Sequence, residues 1–276
     1  MASPTEITIQ QLSRLIGTPD APVIIDVCID ADFALDPRII PGAIRQPFDR
    51  IEALVPRLQG QRAVVYCQKG LKLSQGAAAL LRASGVRAES LAGGQWGWRD
   101  AVQPLVPVAR LPVPDAEGRT VWVTRHRPKI DRLACPWLIR RFVDRRARFL
   151  FVSPSEVGAV AGKFGATPFD ADDAVWRHDG DHCTFDAMLD GFGLKTDALA
   201  RLALIVRGAD TSRHDLAPEC AGLLAVSLGL SRMYRNDLAM LEAGFAIYDA
   251  LYRWARDASD ETHDETHGTV GKKQAA

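Results

Sequence analysis

Ala63-Val64-Val65-Tyr66-Cys67-Gln68-Lys69-Gly70-Leu71-Lys72-Leu73-Ser74-Gln75 is the stretch on which the reading of this chain turns. Ala63–Tyr66 is a short, continuous apolar run rich in β-branched and aromatic residues, as expected of a strand buried on both faces. Gln75–Ser84 has a helical pattern that stops at Gly85. Cys67 therefore sits between the end of a buried strand and the start of a helix, in a loop that contains Gly70. Such a loop aims main-chain N–H groups into one concavity. A thiolate there is stabilised, with Lys69 and Lys72 adding positive charge, and the thiolate is the nucleophilic form. A cysteine at a strand end is, however, also commonly a buried packing residue. The loop alone leaves both readings open.

Working outward, Val23–Val27 is a second buried-strand run, and Ile7–Ile16 reads as a short strand and helix with Thr8 as cap. Strands alternating with helices predict an α/β domain with a parallel sheet flanked by helices. Prolines 104, 107, 112 and 114, with Asp115 and Gly118 and no apolar periodicity, predict a stiff linker. The predicted organisation is a first domain over residues 1–106, a linker over 107–120, a second domain over 121–257 and a disordered tail over 258–276 that carries His263 and His267.

Four segments of the first domain occur in a telling order: Ile25-Asp26-Val27, Ile40-Pro41-Gly42-Ala43, Val64-Val65-Tyr66-Cys67, and Leu91-Ala92-Gly93-Gly94 followed by Trp96 and Trp98. In order and spacing they resemble the rhodanese family over roughly a hundred residues. The resemblance implies a sulfurtransferase that carries a persulfide on Cys67, with Gly70 and Lys72 in the loop that holds it. A sulfane-sulfur donor and a thiol acceptor are the implied partners. Two departures stand out. Lys72 occupies the loop position where many members have Arg, with Leu73 next and Ser74 one place later. Ile39 precedes Ile40 where His is common. Lys lacks the planar fork of Arg, so a weaker grip on thiosulfate is expected. Cys28 reads as a packing residue.

The second domain is predicted to be an α-rich α+β domain. Val121–Thr124 and Arg148–Val152 read as strands, and Asp197–Arg207, Ala217–Leu228 and Asn236–Asp257 as helices. Residues 121–148 hold nine basic residues (Arg125, Arg127, Lys129, Arg132, Arg140, Arg141, Arg145, Arg146 and Arg148) against Asp131 and Asp144. Residues 170–190 hold Asp170, Asp172, Asp173, Asp179, Asp181, Asp186 and Asp190 against Arg177. The two blocks could face each other as an ion-pair network.

Proline is favoured at the first position of a helix, so Cys135-Pro136 predicts a helix start with Cys135 as its cap. Arg125, His126, Arg132 and Cys135 then become candidates for an oxyanion pocket. The alternative is a kinked helix from Asp131 with Cys135 buried and inert. His178, His182 and Cys183 lie in a segment that Gly180 keeps from being helical. They are candidate ligands of a divalent metal such as zinc, or else members of a polar network. Gly208 reads as a helix C-cap, with His214 and Asp215 beyond it.

Arg125-His126-Arg127-Pro128, Ile130-Asp131-Arg132, the run Cys135 to Phe142, Pro168-Phe169-Asp170, His182-Cys183-Thr184-Phe185, Ala217-Pro218-Glu219 and the run Ser227 to Ser231 resemble the C-terminal domain of the chromate-resistance (ChrB-like) proteins, over nearly all of 121–257. The resemblance implies a role in chromate or oxyanion stress, with chromate or another oxyanion as partner. Some members regulate transcription, so a chromate-responsive sensor whose first domain does not turn over is the alternative function.

Composition sets the outer bounds. Lys plus Arg and Asp plus Glu both total 34, which gives no global argument for nucleic acid or an anionic membrane as partner. No helix-turn-helix pattern is visible, so nucleic acid is not an expected partner. No apolar run reaches the length of a bilayer span, and the first ten residues lack a signal-peptide pattern. The five cysteines are odd in number and widely spaced, against a disulfide framework. The cytoplasm is the expected compartment. No cofactor beyond the candidate metal is implied.

Overall fold

The computed structural model describes residues 5–261; the expected disordered tail, with His263 and His267, lies largely outside them. The first domain contains strands β1 (Glu6–Ile7), β2 (Val23–Asp26), β3 (Arg38–Ile39), β4 (Ile44–Arg45), β5 (Arg62–Tyr66), β6 (Arg87–Leu91) and β7 (Val106–Pro107). Its helices are α1 (Ile9–Leu15), α2 (Asp30–Phe33), α3 (Val55–Leu58), α4 (Lys72–Ala83) and α5 (Gly94–Asp100). Five strands form a parallel sheet in the order β1-β6-β5-β2-β4, so the run read first from the sequence is the central strand. Ala63, Val64, Val65 and Tyr66 are fully buried, because helices cover both faces of such a sheet. Thr8 caps α1 in a reciprocal box with Gln11.

The second domain holds β8 (Val121–Arg125), β9 (Arg148–Val152) and β10 (Thr167–Pro168), a small parallel sheet in the order β10-β8-β9. Its helices are α6 (Asp131–Leu138), α7 (Val157–Phe164), α8 (Thr184–Gly191), α9 (Asp197–Asp210), α10 (Cys220–Met233) and α11 (Asp237–Asp257). Helices dominate, and Trp137 anchors them: its ring packs against Phe142, Phe185, Tyr248 and Tyr252.

The stretch between the domains is partly ordered into the first. Val106 is fully buried, and β7 pairs antiparallel with β3. One apolar core runs through both halves of the chain. Gly17 sits against the side chains of Phe142 and Tyr252 so closely that a Cβ there would collide with both rings. Its φ of +81° is also one that favours glycine. Among the described residues no helix is long and apolar enough to cross a membrane.

Two local readings are corrected. Pro136 lies inside α6 rather than at its start, and the helix continues through a π-helical turn at Ile139–Val143. Pro136 has no N–H to donate to Arg132 O, so the helix forgoes that one bond. Cys135 is thus mid-helix and fully buried, which is the alternative reading. Gly208 is not a C-cap, since α9 runs on to Asp210. It is a close-packing glycine: a Cβ there would collide with Cys220 Sγ and lie 2.7 Å from Arg213 O.

Candidate functional site

Cys67 lies at the carboxyl end of the central strand, the edge of an open parallel sheet where ligands bind. The loop after it is fixed by two glycines. Gly70 has φ +71°, and a Cβ on it would come within 2.5 Å of Leu91 O and 2.6 Å of Gly94 N. Gly94 has φ +57°, and a Cβ on it would collide with Cys67 O. Gln95 N donates to Cys67 O and Trp96 N to Gln68 O, both at 3.0 Å. The loop therefore docks, backbone against backbone, on the start of α5. Gln95, itself buried, donates from Nε2 to Asp36 O and Arg38 O and ties α5 to the segment before β3.

The partner at the sulfur differs from expectation. Cys67 is buried, at 5% exposure, and its Sγ contacts Ser74 Oγ at 3.3 Å. A hydroxyl rather than a main-chain amide thus holds the sulfur. The reason is where α4 begins: the first bond of the helix is Gln75 N to Leu71 O, so the amides of Lys72, Leu73 and Ser74 form its first, unpaired turn, five residues beyond Cys67. The sequence shows Ser74 only as a displaced loop residue without a role, although its place in the first turn of the following helix is a usable signal. Lys72 and Lys69 are exposed, and Lys69 Nζ lies over the Trp96 ring at 5.0 Å. Beside the loop, buried Asp26 accepts from Cys28 N at 2.8 Å and pairs with Arg45 at 3.4 Å. Burial holds the Asp26 carboxyl above its usual range. Cys28 is buried and its thiol is pushed up by burial and then by Asp26, in keeping with a packing role.

The polar centre of the second domain brings together a different set from the one the sequence grouped. Asp131 is 1% exposed, and its carboxylate accepts from Thr184 N at 2.7 Å and Phe185 N at 3.0 Å, so it caps α8 from a distance. Asp170 is also buried. It pairs with Arg125 at 2.9 Å and Arg132 at 3.1 Å. His178 Nε2 reaches into this group, 3.4 Å from Asp131, 3.6 Å from Asp170 and 3.2 Å from Asp210. Hydrogen bonds to Asp131 first and Asp210 second raise the His178 pKa to about 10.

Donor atoms of Asp131, Asp170 and His178 lie within 4.8 Å of one another, a spacing that a cation could bridge. Protonated, the imidazole fills that role itself, and three cations (Arg125, Arg132, His178) face three carboxylates (Asp131, Asp170, Asp210). The basic and acidic blocks meet here, as the network reading expected, but only through Arg125 and Arg132. Arg141 instead forks onto Asp249 of α11, at 2.7 Å for both bonds, and Arg140 pairs with Glu242.

His178, His182 and Cys183 do not converge on one point. His182 is exposed and lines a separate cleft with Asp186 and Arg207, while Cys183 is fully buried and donates to Asp186 Oδ2 at 3.3 Å. The turn at Gly180 sends the two imidazoles apart. The oxyanion set is likewise split. Asp170 occupies Arg125 and Arg132, and His126 is exposed. Cys135 donates to Asp131 at 3.6 Å, and burial followed by Asp131 pushes its thiol well up. Asp170, read in the Pro168-Phe169-Asp170 segment and the acidic block, and Asp210 are joined to this centre only by the folded chain.

Comparison with known proteins follows the same division. The rhodanese-like domain family matches residues 8–101, and the ChrB C-terminal domain family matches residues 122–255. Protein ChrB of Cupriavidus metallidurans is 38% identical over 137 residues, which are 49% of this chain and 40% of that one. The chain thus spans well under half the length of this curated relative. A rhodanese-like domain protein from Staphylococcus aureus is 27% identical over 34% of this chain and 90% of its own, with a TM-score of 0.30. A thiosulfate sulfurtransferase from Pseudomonas aeruginosa is 28% identical over 36% of this chain and 19% of its own, with a TM-score of 0.32. Residues 8–101 therefore belong to the rhodanese-like domain family, and residues 122–255 belong to the family of ChrB C-terminal domains.

Proposed function

We propose that this protein is a sulfurtransferase that carries sulfur as a persulfide on Cys67 and acts in resistance to chromate. The observation that carries the reading is the position of Cys67: at the end of the central strand, in a glycine-locked loop, with Ser74 Oγ at 3.3 Å and the unpaired first turn of α4 following. The Cys67 thiolate attacks the outer sulfur of a sulfane donor. The donor's S–S bond breaks, its inner group leaves with the bonding pair, and a Cys67 persulfide forms. An acceptor thiolate then takes the outer sulfur and returns Cys67 to a thiolate. The second sulfur extends about 2 Å beyond Sγ. The five buried cysteines are all free, which suits a reducing cytoplasm.

The chromate role rests on the ChrB family membership of the second domain. A sensor that regulates transcription would need its basic block free to contact DNA, and there Arg140 and Arg141 are already paired to Glu242 and Asp249. The purified chain, given thiosulfate or glutathione persulfide with cyanide as acceptor, should release thiocyanate. Cys67→Ala should abolish the release and remove chromate tolerance from cells that depend on the protein. Full activity in that variant would contradict the proposal. Lys72→Arg should improve the use of thiosulfate over the natural loop.

A further inference from the structure

The largest cavity described lies between the two domains and is independent of Cys67. Its volume is about 820 Å³. The first domain supplies Leu58, the connecting stretch Leu111 and the second domain Val143, so part of the lining is apolar. The proline-rich stretch, which the sulfurtransferase reading does not use, is therefore a wall and not only a tether.

The charge in the lining is unbalanced. Arg57, Arg145 and Arg146 all line the cavity. No salt bridge to any of the three occurs among the described residues. Arg146 Nη2 donates to Glu117 O at 3.0 Å, but Nη1 is buried with no partner. Arg145 reaches only a main-chain oxygen, Ala21 O at 3.3 Å. Asp144 is the one carboxylate in the lining, and it is already engaged: Oδ2 accepts from Thr120 N and Oγ1, and Oδ1 from Arg146 N. The pKa of Arg57 is lowered, first by burial and then by the charge of Arg146, with a smaller opposing effect of Asp144. Two guanidinium groups thus repel each other at the rim of an apolar space, and one buried N–H lacks an acceptor. Clustered guanidinium groups with no carboxylate partner are suited to taking an anion through charge-assisted hydrogen bonds.

We infer that this cavity binds an amphipathic organic anion, its head group held by Arg57 and Arg146 and its hydrocarbon body lying against Leu58, Leu111 and Val143. A bare inorganic oxyanion would satisfy the arginines and leave most of the volume unfilled. A neutral apolar molecule would fill the volume and leave the arginine charges without a counter-ion. An alkyl or aryl chain ending in a carboxylate, sulfonate or phosphate does both.

The test is fluorescence titration of the full chain with 1-anilinonaphthalene-8-sulfonate, followed by competition. One saturable site per chain is expected, displaced by decanoate but not by decanol, sodium sulfate or chromate. Arg57→Gln and Arg146→Gln should each weaken decanoate by about tenfold or more, the effect of losing a charge-assisted bond. Leu111→Trp should exclude the probe by filling the space. Arg57 is at the exposed end of the cavity, so its variant keeps the test open should the Arg146 variant fold poorly. No saturable site, unchanged decanoate affinity in the Arg57 variant, or displacement by sulfate as effective as by decanoate would each overturn the inference.

Discussion

Ser74 Oγ lies 3.3 Å from Cys67 Sγ and 3.2 Å from Leu71 O, so a single hydroxyl proton has two places to go. With a neutral thiol, the hydroxyl donates to Leu71 O and accepts from the sulfur. With a thiolate, it turns and donates to the sulfur. Ser74→Ala removes that charge-assisted bond, which contributes about 1.5–3 kcal/mol. Persulfide formation should slow by roughly tenfold to a hundredfold, while Ser74→Thr retains most of the rate. Stopped-flow kinetics with a sulfane donor makes the comparison. Equal rates for the alanine variant and the natural protein would remove Ser74 from the account.

Gly94 is the backbone counterpart of that contact. An added Cβ would meet Cys67 O, a main-chain atom that cannot rotate away, at a φ of +57°. Gly94→Ala should therefore displace the Cys67 loop and destabilise the domain, by about 2–4 kcal/mol. Chemical denaturation read by tryptophan fluorescence measures the loss. A variant of natural stability and natural activity would show that the loop tolerates movement.

How far the sequence could be read depended on how local each signal was. β5, Cys67 and α4 follow one another closely, and the continuous apolar run, the loop glycine and the helix pattern all agree within about two dozen residues, so the first domain was legible. Pro136 follows a sound local rule for a helix start, but α6 already begins at Asp131 and runs through it, with Trp137 packed on Phe142. The polar centre was illegible for another reason. His178 reads from sequence as a metal ligand beside His182 and Cys183 or as a member of a polar network, but its partners Asp131, Asp170 and Asp210 are scattered along the chain and meet only in the folded structure. His182 and Cys183 looked closer in sequence and face elsewhere. The cavity arginines Arg145 and Arg146 looked like two members of a basic block. Only the domain arrangement shows that they lack acidic partners.

His178 gives the fold a pH dependence of predictable sign. Its pKa rises on folding from about 6.5 to about 10, through Asp131 first and Asp210 second. The protonated form is the one the folded state favours. Its contribution to stability is therefore complete below about pH 6.5 and is lost as the pH rises through about 10. Denaturation midpoints should fall across that window, and His178→Gln should flatten the fall. NMR titration of the imidazole should find it still protonated at pH 8. A midpoint near 6.5 would show that the three carboxylates do not hold it as a cation.

The sulfur chemistry at Cys67 is most directly tested by mass spectrometry of the intact protein and its peptides after brief exposure to a sulfane donor. The Cys67 peptide should gain the mass of one sulfur atom, and dithiothreitol should remove it. Cys28, Cys135, Cys183 and Cys220 should stay unmodified. An unmodified Cys67, or equal gain on the other four cysteines, would contradict the account.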